Sequence, residues 1–294
     1  AAHPLGGPGT RCYNPAAGST NGPEPPLHGP PMNPRTALTR RLLLAGAATL
    51  LATGRPALAQ SKPSLLRVGV EGNYPPFSKM GPDGRLSGFD IDIALALCEA
   101  MNVRCQLVQQ EWDGMMPALR ARKFDMIVAS MTITDERRKA ADFSDPYYDV
   151  PSRFVARAGA FRDASPEALK GRRIIVLRNT PRAQYLQQRY PGSELLQVNK
   201  ETDVYLELAA GRGDIAFGST VVSGEAFLKT PQGKGYAQVG PTVRLEGGTG
   251  VGVAVRKGET ELVGRINAAL KKIKADGTYK RLADRYFDFD ISGN

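Results

Sequence analysis

The residues with the clearest chemical capacity lie in the run Ala129-Ser130-Met131-Thr132-Ile133-Thr134-Asp135-Glu136-Arg137. Ser130 and Thr132 carry hydroxyls that can accept from an ammonium, and Arg137 carries a guanidinium that can hold a carboxylate through paired bonds. An ammonium and a carboxylate together describe a free amino acid. Thr134 is a good helix N-cap, so Arg137 falls in the turn that follows it. The preceding run Met126-Ile127-Val128 reads as a buried strand of a parallel sheet, and ligands bind at the carboxyl ends of such strands. The plain alternative for Arg137 is an exposed charged helix face made by Glu136-Arg137-Arg138-Lys139.

Two other strand ends carry candidates. Glu71 ends the strand Leu66-Arg67-Val68-Gly69-Val70, with Gly72 and Tyr74 close behind; it is either a solvated loop carboxylate or an acid facing a cationic ligand. Trp112, the sole tryptophan, follows Gln109-Gln110-Glu111. It is either a core aromatic or a flat wall for a planar or cationic group, a contact worth about 0.5–2 kcal/mol. Tyr74 could form the opposite wall. Asp90 reads as an N-cap, and Asp276-Gly277-Thr278-Tyr279 as a turn in which Thr278 caps the next helix.

The elements that must position these residues alternate strand with helix. After the first strand comes a Pro- and Gly-rich loop from Gly72 to Gly88, then a helix with the apolar face Ile91, Ala94, Leu95 and Cys98. A strand near Cys105–Val108, a helix over about 113–121 and the strand at Met126 complete a βαβαβ unit, which implies right-handed crossovers. The rhythm restarts with a strand over Arg173–Leu177. Thr180 and Pro181 start a helix, since proline suits the first helical position. A strand near Leu195–Val198, a helix over about 202–210 stopping at Gly211, and the short strand Ile215-Ala216-Phe217 follow. Val251 to Val255 reads as another strand, before helices over about 259–274 and 278–287. Two α/β lobes with a cleft between them are the expected architecture.

The chain has 294 residues and a formal charge of +10. Residues 1–31 are Pro- and Gly-rich without apolar periodicity and read as disordered or as an upstream extension. Residues 32–59 read as a signal peptide: Met32, then Arg35, Arg40 and Arg41, an apolar run from Leu42 to Ala52, and cleavage after Ala57-Leu58-Ala59. The double arginine also weakly resembles a twin-arginine signal, and no cysteine follows the cleavage point to take a lipid anchor. Cleavage removes His3 and His28, the only histidines, so the mature chain has no imidazole chemistry. That excludes most hydrolase mechanisms and the common metal sites; no metal or cofactor is expected. Five arginines and one glutamate also go, which leaves a charge of about +6. No basic block interleaved with aromatics points to nucleic acid. Cys98 and Cys105 remain, an even pair in an exported protein, which predicts a disulfide worth about 2–2.5 kcal/mol; two buried thiols are the alternative.

The joint pattern resembles the periplasmic solute-binding proteins for polar amino acids (bacterial extracellular family 3), the receptors of ABC importers, and most of all the lysine/arginine/ornithine/histidine type. The resemblance spans residues 65–292. It rests on Glu71-Gly72-Asn73-Tyr74-Pro75-Pro76-Phe77, Gly88-Phe89-Asp90-Ile91-Asp92, the Cys98/Cys105 pair, and Ser130 to Arg137. Phe143-Ser144-Asp145-Pro146-Tyr147-Tyr148, Ala209-Ala210-Gly211-Arg212, and Asp276-Gly277-Thr278-Tyr279 through Tyr286-Phe287-Asp288 extend it. It implies a type II two-lobed fold, each lobe a central, mainly parallel sheet flanked by helices, with the ligand cleft at the hinge. Lobe 1 would comprise 60–152 and 248–294 and lobe 2 153–247, with hinge crossings near 150–153 and 244–250.

By this resemblance the chain is a monomeric periplasmic receptor, not an enzyme, that closes over a basic amino acid and delivers it to an ABC importer permease. Arg137 would bind the α-carboxylate, helped by backbone N–H groups near Thr132 and Thr180. Ser130 and Thr132 would contact the head group, beside Ala129. Tyr74 and Trp112 would sandwich the side chain, Glu71 would pair with its cation, and Leu177 would line the cleft from lobe 2.

Three departures stand out. Ser219 occupies the place where the family usually has an aspartate for the α-ammonium, so either another acid helps or the ligand's amine is substituted. Pro181 lacks an N–H where the family often offers a donor, which leaves Thr180 and the amide of Arg182. The stretch from Arg244 to Gly248 is shorter than the usual loop near the hinge. An opine or other N-substituted amino acid is therefore the alternative ligand. A cyclohexadienyl dehydratase-like enzyme would need an acid from the second lobe, and Ser219, Thr220, Val221 and Val222 offer none before Glu225. A sensor domain is a third option; no kinase segment follows, so signalling would pass through a partner.

Overall fold

The computed structural model describes residues 64–245 and 247–292. The expected extension (1–31), signal peptide (32–59) and cleavage point lie outside the described residues. The first half runs β1 (Leu65–Val70), β2 (Asn73–Tyr74), β3 (Ser78–Met80), β4 (Leu86–Ser87), α1 (Phe89–Ala100), β5 (Arg104–Gln109), α2 (Met115–Arg120), β6 (Met126–Ile127), α3 (Asp135–Ala140) and β7 (Ala141–Phe143). The second runs β8 (Ser152–Arg157), β9 (Arg173–Leu177), α4 (Pro181–Arg189), β10 (Glu194–Val198), α5 (Glu201–Ala209), β11 (Ile215–Ser219), α6 (Thr220–Ser223) and β12 (Tyr236–Val243). The chain then returns to the first sheet with β13 (Ala254–Arg256) and closes with α7 (Thr260–Ala275) and α8 (Thr278–Ala283).

Two five-stranded sheets result, with strand orders β5-β1-β6-β13-β7 and β10-β9-β11-β8-β12. In each, three strands are parallel (β5, β1, β6 and β10, β9, β11), and on one side an antiparallel strand (β13 or β8) is followed by an edge strand (β7 or β12) that pairs antiparallel to it. The inner parallel strands β1, β6 and β9 are covered on both faces over their C-terminal parts, which is why they read as apolar runs: Val68, Val70, Met126, Ile127, Ile174, Ile175 and Val176 are all fully buried. The last strand is shorter than expected. Only Ala254–Arg256 forms a ladder, while Val251 makes isolated bridges to Thr132 and Tyr148. The chain passes from the first sheet to the second between Phe143 and Ser152 and returns between Val243 and Ala254.

An aromatic nest fixes α1 against the first sheet. Phe77 stacks on Tyr148 at 4.8 Å between centroids, and Phe89 meets Phe287 edge-on at 5.2 Å. Gly88 precedes α1 with φ +129°, and a Cβ there would sit 2.4 Å from the Phe77 carbonyl oxygen, so only glycine fits. Gly88, not Asp90, is the N-cap residue of α1; Asp90 lies inside the first turn and points inward. Likewise α8 starts after Gly277 in the left-handed conformation, and Thr278 is its first residue instead of its cap. Cys98 and Cys105 form a disulfide that ties the end of α1 to β5, with Cα atoms 6.0 Å apart. No described helix is long and apolar enough to cross a membrane.

Candidate functional site

One cavity of about 350 Å³ gathers the ends of several strands. Its walls include Glu71 after β1, Tyr74 of β2, Trp112 after β5, and Ala129, Ser130, Thr132 and Arg137 after β6. Leu177, Thr180 and Arg182 enter from the β9–α4 turn. Ten of the eleven expected ligand-binding residues thus meet at one cavity. Ser219 does not; it is fully buried and caps α6. Pro181 and Leu245 also line the cavity. Leu245 had no signal in the sequence because it sits in an irregular stretch. A second space of about 580 Å³ shares Tyr74, Ser130, Thr132, Arg182 and Leu245 and adds Tyr148 and Ser152.

Local structure explains the placement of Arg137. Thr134 caps α3 by accepting from the Arg137 N–H at 3.2 Å, which turns the arginine back toward the strand end. Arg137 Nη1 donates to the Thr132 carbonyl at 2.8 Å and Nη2 to the Asn179 carbonyl at 3.3 Å. Its guanidinium carbon lies 5.2 Å from the Trp112 ring centroid. Burial, and then the charge of Arg182, lower the Arg137 pKa to about 10, so it stays protonated at neutral pH. Among the described residues no carboxylate lies within 4.0 Å of Arg137 or Arg182. The exposed-face reading of Arg137 does not describe this geometry.

Arg182 offers more than its amide. Its Nε donates to Ser152 Oγ at 3.0 Å and its Nη2 to the Tyr74 hydroxyl at 2.9 Å, so the guanidinium joins α4 to β2 along the cavity wall. Thr180 offers less than expected. Its hydroxyl donates to the Leu177 carbonyl at 2.7 Å and accepts from the Ala183 N–H, which spends it on the backbone.

Glu71 is 2% exposed, and its Oε1 has no hydrogen-bond partner among the described residues. Burial, then the charges of Glu201, Glu111 and Asp90, push its pKa up to about 8. A carboxyl in that state is poised to gain from a cation brought beside it.

Two further acids were hidden in the sequence. Asp90 is fully buried; its Oδ1 accepts from the Tyr147 hydroxyl at 2.7 Å and its Oδ2 from Ser130 Oγ at 2.8 Å. Glu201, the first residue of α5, is fully buried beside Ser219 and accepts from the Tyr205 hydroxyl at 3.2 Å, while its Oε2 has no partner among the described residues. Burial raises its pKa, and Arg182 and Tyr205 oppose the rise. The run from Ser219 to Gly224 holds no carboxylate, as its sequence shows, and Glu201, from an earlier element, is not part of the cavity wall.

Charged contacts also join the two sheets at the rim. Asp113 accepts from Arg178 Nε at 2.6 Å and from Asn179 Nδ2 at 2.7 Å, and Lys200 lies 3.6 Å from Glu111.

The sequence model of the bacterial extracellular solute-binding proteins, family 3, matches residues 66–289. An L-arginine-binding protein of Pseudomonas aeruginosa is 45% identical over 259 residues, which cover 87% of this chain and 99% of that protein. A histidine-binding periplasmic protein of Escherichia coli K12 is 36% identical over 258 residues, covering 86% and 99%. Among solved structures, an ancestral arginine-binding protein bound to arginine superposes with a TM-score of 0.71 at 34% identity, covering 77% of this chain and 100% of that one.

Proposed function

The chain belongs to the bacterial extracellular solute-binding proteins of family 3, and on that premise we propose that it is a periplasmic receptor for a basic amino acid, arginine foremost. The observation that carries this reading is one cavity bearing Arg137 and, separately, the buried carboxyl of Glu71, with Tyr74 and Trp112 as aromatic walls. Arg137 takes the α-carboxylate through charge-assisted bonds. Glu71 takes the side-chain cation, which satisfies its Oε1. In this reading the sheets belong to two lobes that close about the crossings near 150–153 and 244–250, and the closed, monomeric receptor hands its ligand to an ABC importer permease. The role is binding without catalysis.

The names of the relatives support the ligand class: one binds L-arginine and another histidine. Titration calorimetry against arginine, lysine, ornithine, histidine and octopine tests it, together with mass spectrometry of any ligand that co-purifies. Heat from arginine or lysine is expected; no heat from any free basic amino acid would overturn it. The N-substituted ligand stays as a second reading, because Ser219 is neutral and Arg182 places a second guanidinium in the wall. Tighter binding of octopine than of arginine would favour that reading.

A further inference from the structure

A receptor for a free amino acid needs an acid for the α-ammonium, and the position where the resemblance expects one holds Ser219, outside the cavity. Arg182 in the wall makes the need sharper, since it repels an ammonium. Glu201 stands behind the wall. The acid that does reach the head-group side is Asp90, one hydroxyl away.

Its geometry is specific. The side chain is fully buried in the first turn of α1, and among the described residues no cation lies within 4.0 Å of it. Neutral donors satisfy it: the Tyr147 hydroxyl on Oδ1, the Ser130 hydroxyl on Oδ2, and the Ser130 backbone N–H. Ser130 has one hydrogen to give, and an ionised Asp90 takes it. The Tyr148 hydroxyl then donates to Ser130 Oγ at 2.6 Å. One lone pair of Ser130 Oγ is left, on a residue that lines both cavities. That oxygen can only accept, so it selects a donor such as an ammonium and disfavours an acceptor. Ser130 sits at φ +51°, an uncommon conformation for a residue with a Cβ, and the two bonds to its hydroxyl hold it there.

We propose that Asp90 is the acid that recognises the ligand's α-ammonium, acting through the Ser130 hydroxyl as a positioning residue. The chain Tyr148 to Ser130 to Asp90 fixes the hydroxyl's direction, and the carboxylate polarises it toward the cation. Burial pushes the Asp90 pKa up to about 6, against the pull of Tyr147 and Ser130, so the group is mainly ionised at pH 7.5. This inference rests on the basic amino acid reading and names the part of that site that reads the amine.

The test compares arginine with 5-guanidinopentanoic acid, which keeps the carboxylate and guanidinium but lacks the α-amine. Calorimetry is run at pH 7.5 on the full chain, with melting curves of each variant as a check on folding. Asp90→Asn is expected to weaken arginine at least tenfold and the des-amino analogue less than threefold. Ser130→Gly, which accommodates the positive φ, is expected to do the same and decides the question if Asp90→Asn does not fold. Glu71→Gln is expected to weaken both ligands alike, because both carry the guanidinium. Equal losses in Asp90→Asn or Ser130→Gly, no loss, or equal wild-type affinity for the two ligands would overturn the assignment. A wild-type protein that binds arginine and shows one of these outcomes keeps its function and loses only this role for Asp90. A wild-type protein that binds neither ligand overturns the receptor reading and this role with it.

Discussion

Arg137 lies face-on to Trp112, with its guanidinium carbon 5.2 Å from the ring centroid. The tryptophan therefore serves the arginine as well as the cavity. It packs against the guanidinium while the Thr132 carbonyl fixes one end. A planar, pre-oriented guanidinium loses little freedom when it takes a carboxylate in paired bonds. Trp112→Leu is expected to weaken every amino acid ligand by about three- to thirtyfold, in line with a cation–π contact of roughly 0.5–2 kcal/mol. Calorimetry with arginine and with a neutral side chain such as citrulline checks this. A loss confined to arginine would assign Trp112 to the ligand's side chain alone.

Arg137→Ala should cost about 2–5 kcal/mol of affinity, because the ligand carboxylate would enter the cavity without its charged partner. Arg137→Lys should recover part of it, since a point charge cannot form the paired bonds. Unchanged affinity in the alanine variant would place the carboxylate elsewhere.

Glu71 makes a pH prediction whose sign is fixed. Its carboxyl, raised from 4.5 to about 8, is mostly protonated in the empty protein at neutral pH. A cationic side chain requires the ionised form, so binding releases a proton and arginine affinity should rise from pH 6 to 8, by at most about tenfold per unit. Stability of the empty protein moves the other way. A carboxyl whose folded pKa is raised contributes its stability below pH 4.5 and loses it as pH climbs through 8, at up to about 1.4 kcal/mol per unit. Asp90 and Glu201, also raised, add in the same direction. Glu71→Gln should flatten the arginine profile. A wild-type profile that is already flat would contradict the assigned role.

Removing the Cys98–Cys105 bridge as a double serine variant should lower stability by about 2–3 kcal/mol and leave arginine affinity within twofold. The bridge ties α1 to β5 but is not part of the cavity wall. Guanidinium melts with and without arginine report both quantities.

Asp113→Ala would release Arg178 and Asn179 together. These groups are partly exposed, so the loss should stay near 1 kcal/mol or less, about fivefold in affinity. If they latch the closed form, the loss should fall on the off-rate, which stopped-flow Trp112 fluorescence can follow.

How much of this was legible in the sequence depended on range. Met126–Ile127 and the C-terminal residues Val68–Val70 and Ile174–Leu177 are buried, so their apolar runs announced the parallel strands and hence the strand ends that carry Glu71, Ser130 and Leu177. Thr134 and Thr180 announced their helices because a cap acts over three residues. Asp90 could not be read this way. Its partner Ser130 is forty positions away, and the local pattern of an acid near a helix start is equally that of a cap. Glu201 was masked by the same ambiguity at the start of α5. Ser219 was expected in the cleft from the family resemblance, but the strand β11 keeps its end buried and turns directly into α6.

The most direct test of the central claim is the crystal structure of the protein with arginine. The account predicts the α-carboxylate on Arg137, the guanidinium on Glu71 between Tyr74 and Trp112, and the α-ammonium on Ser130. Arginine found reversed in the cavity, or seated away from Arg137 and Glu71, would contradict it.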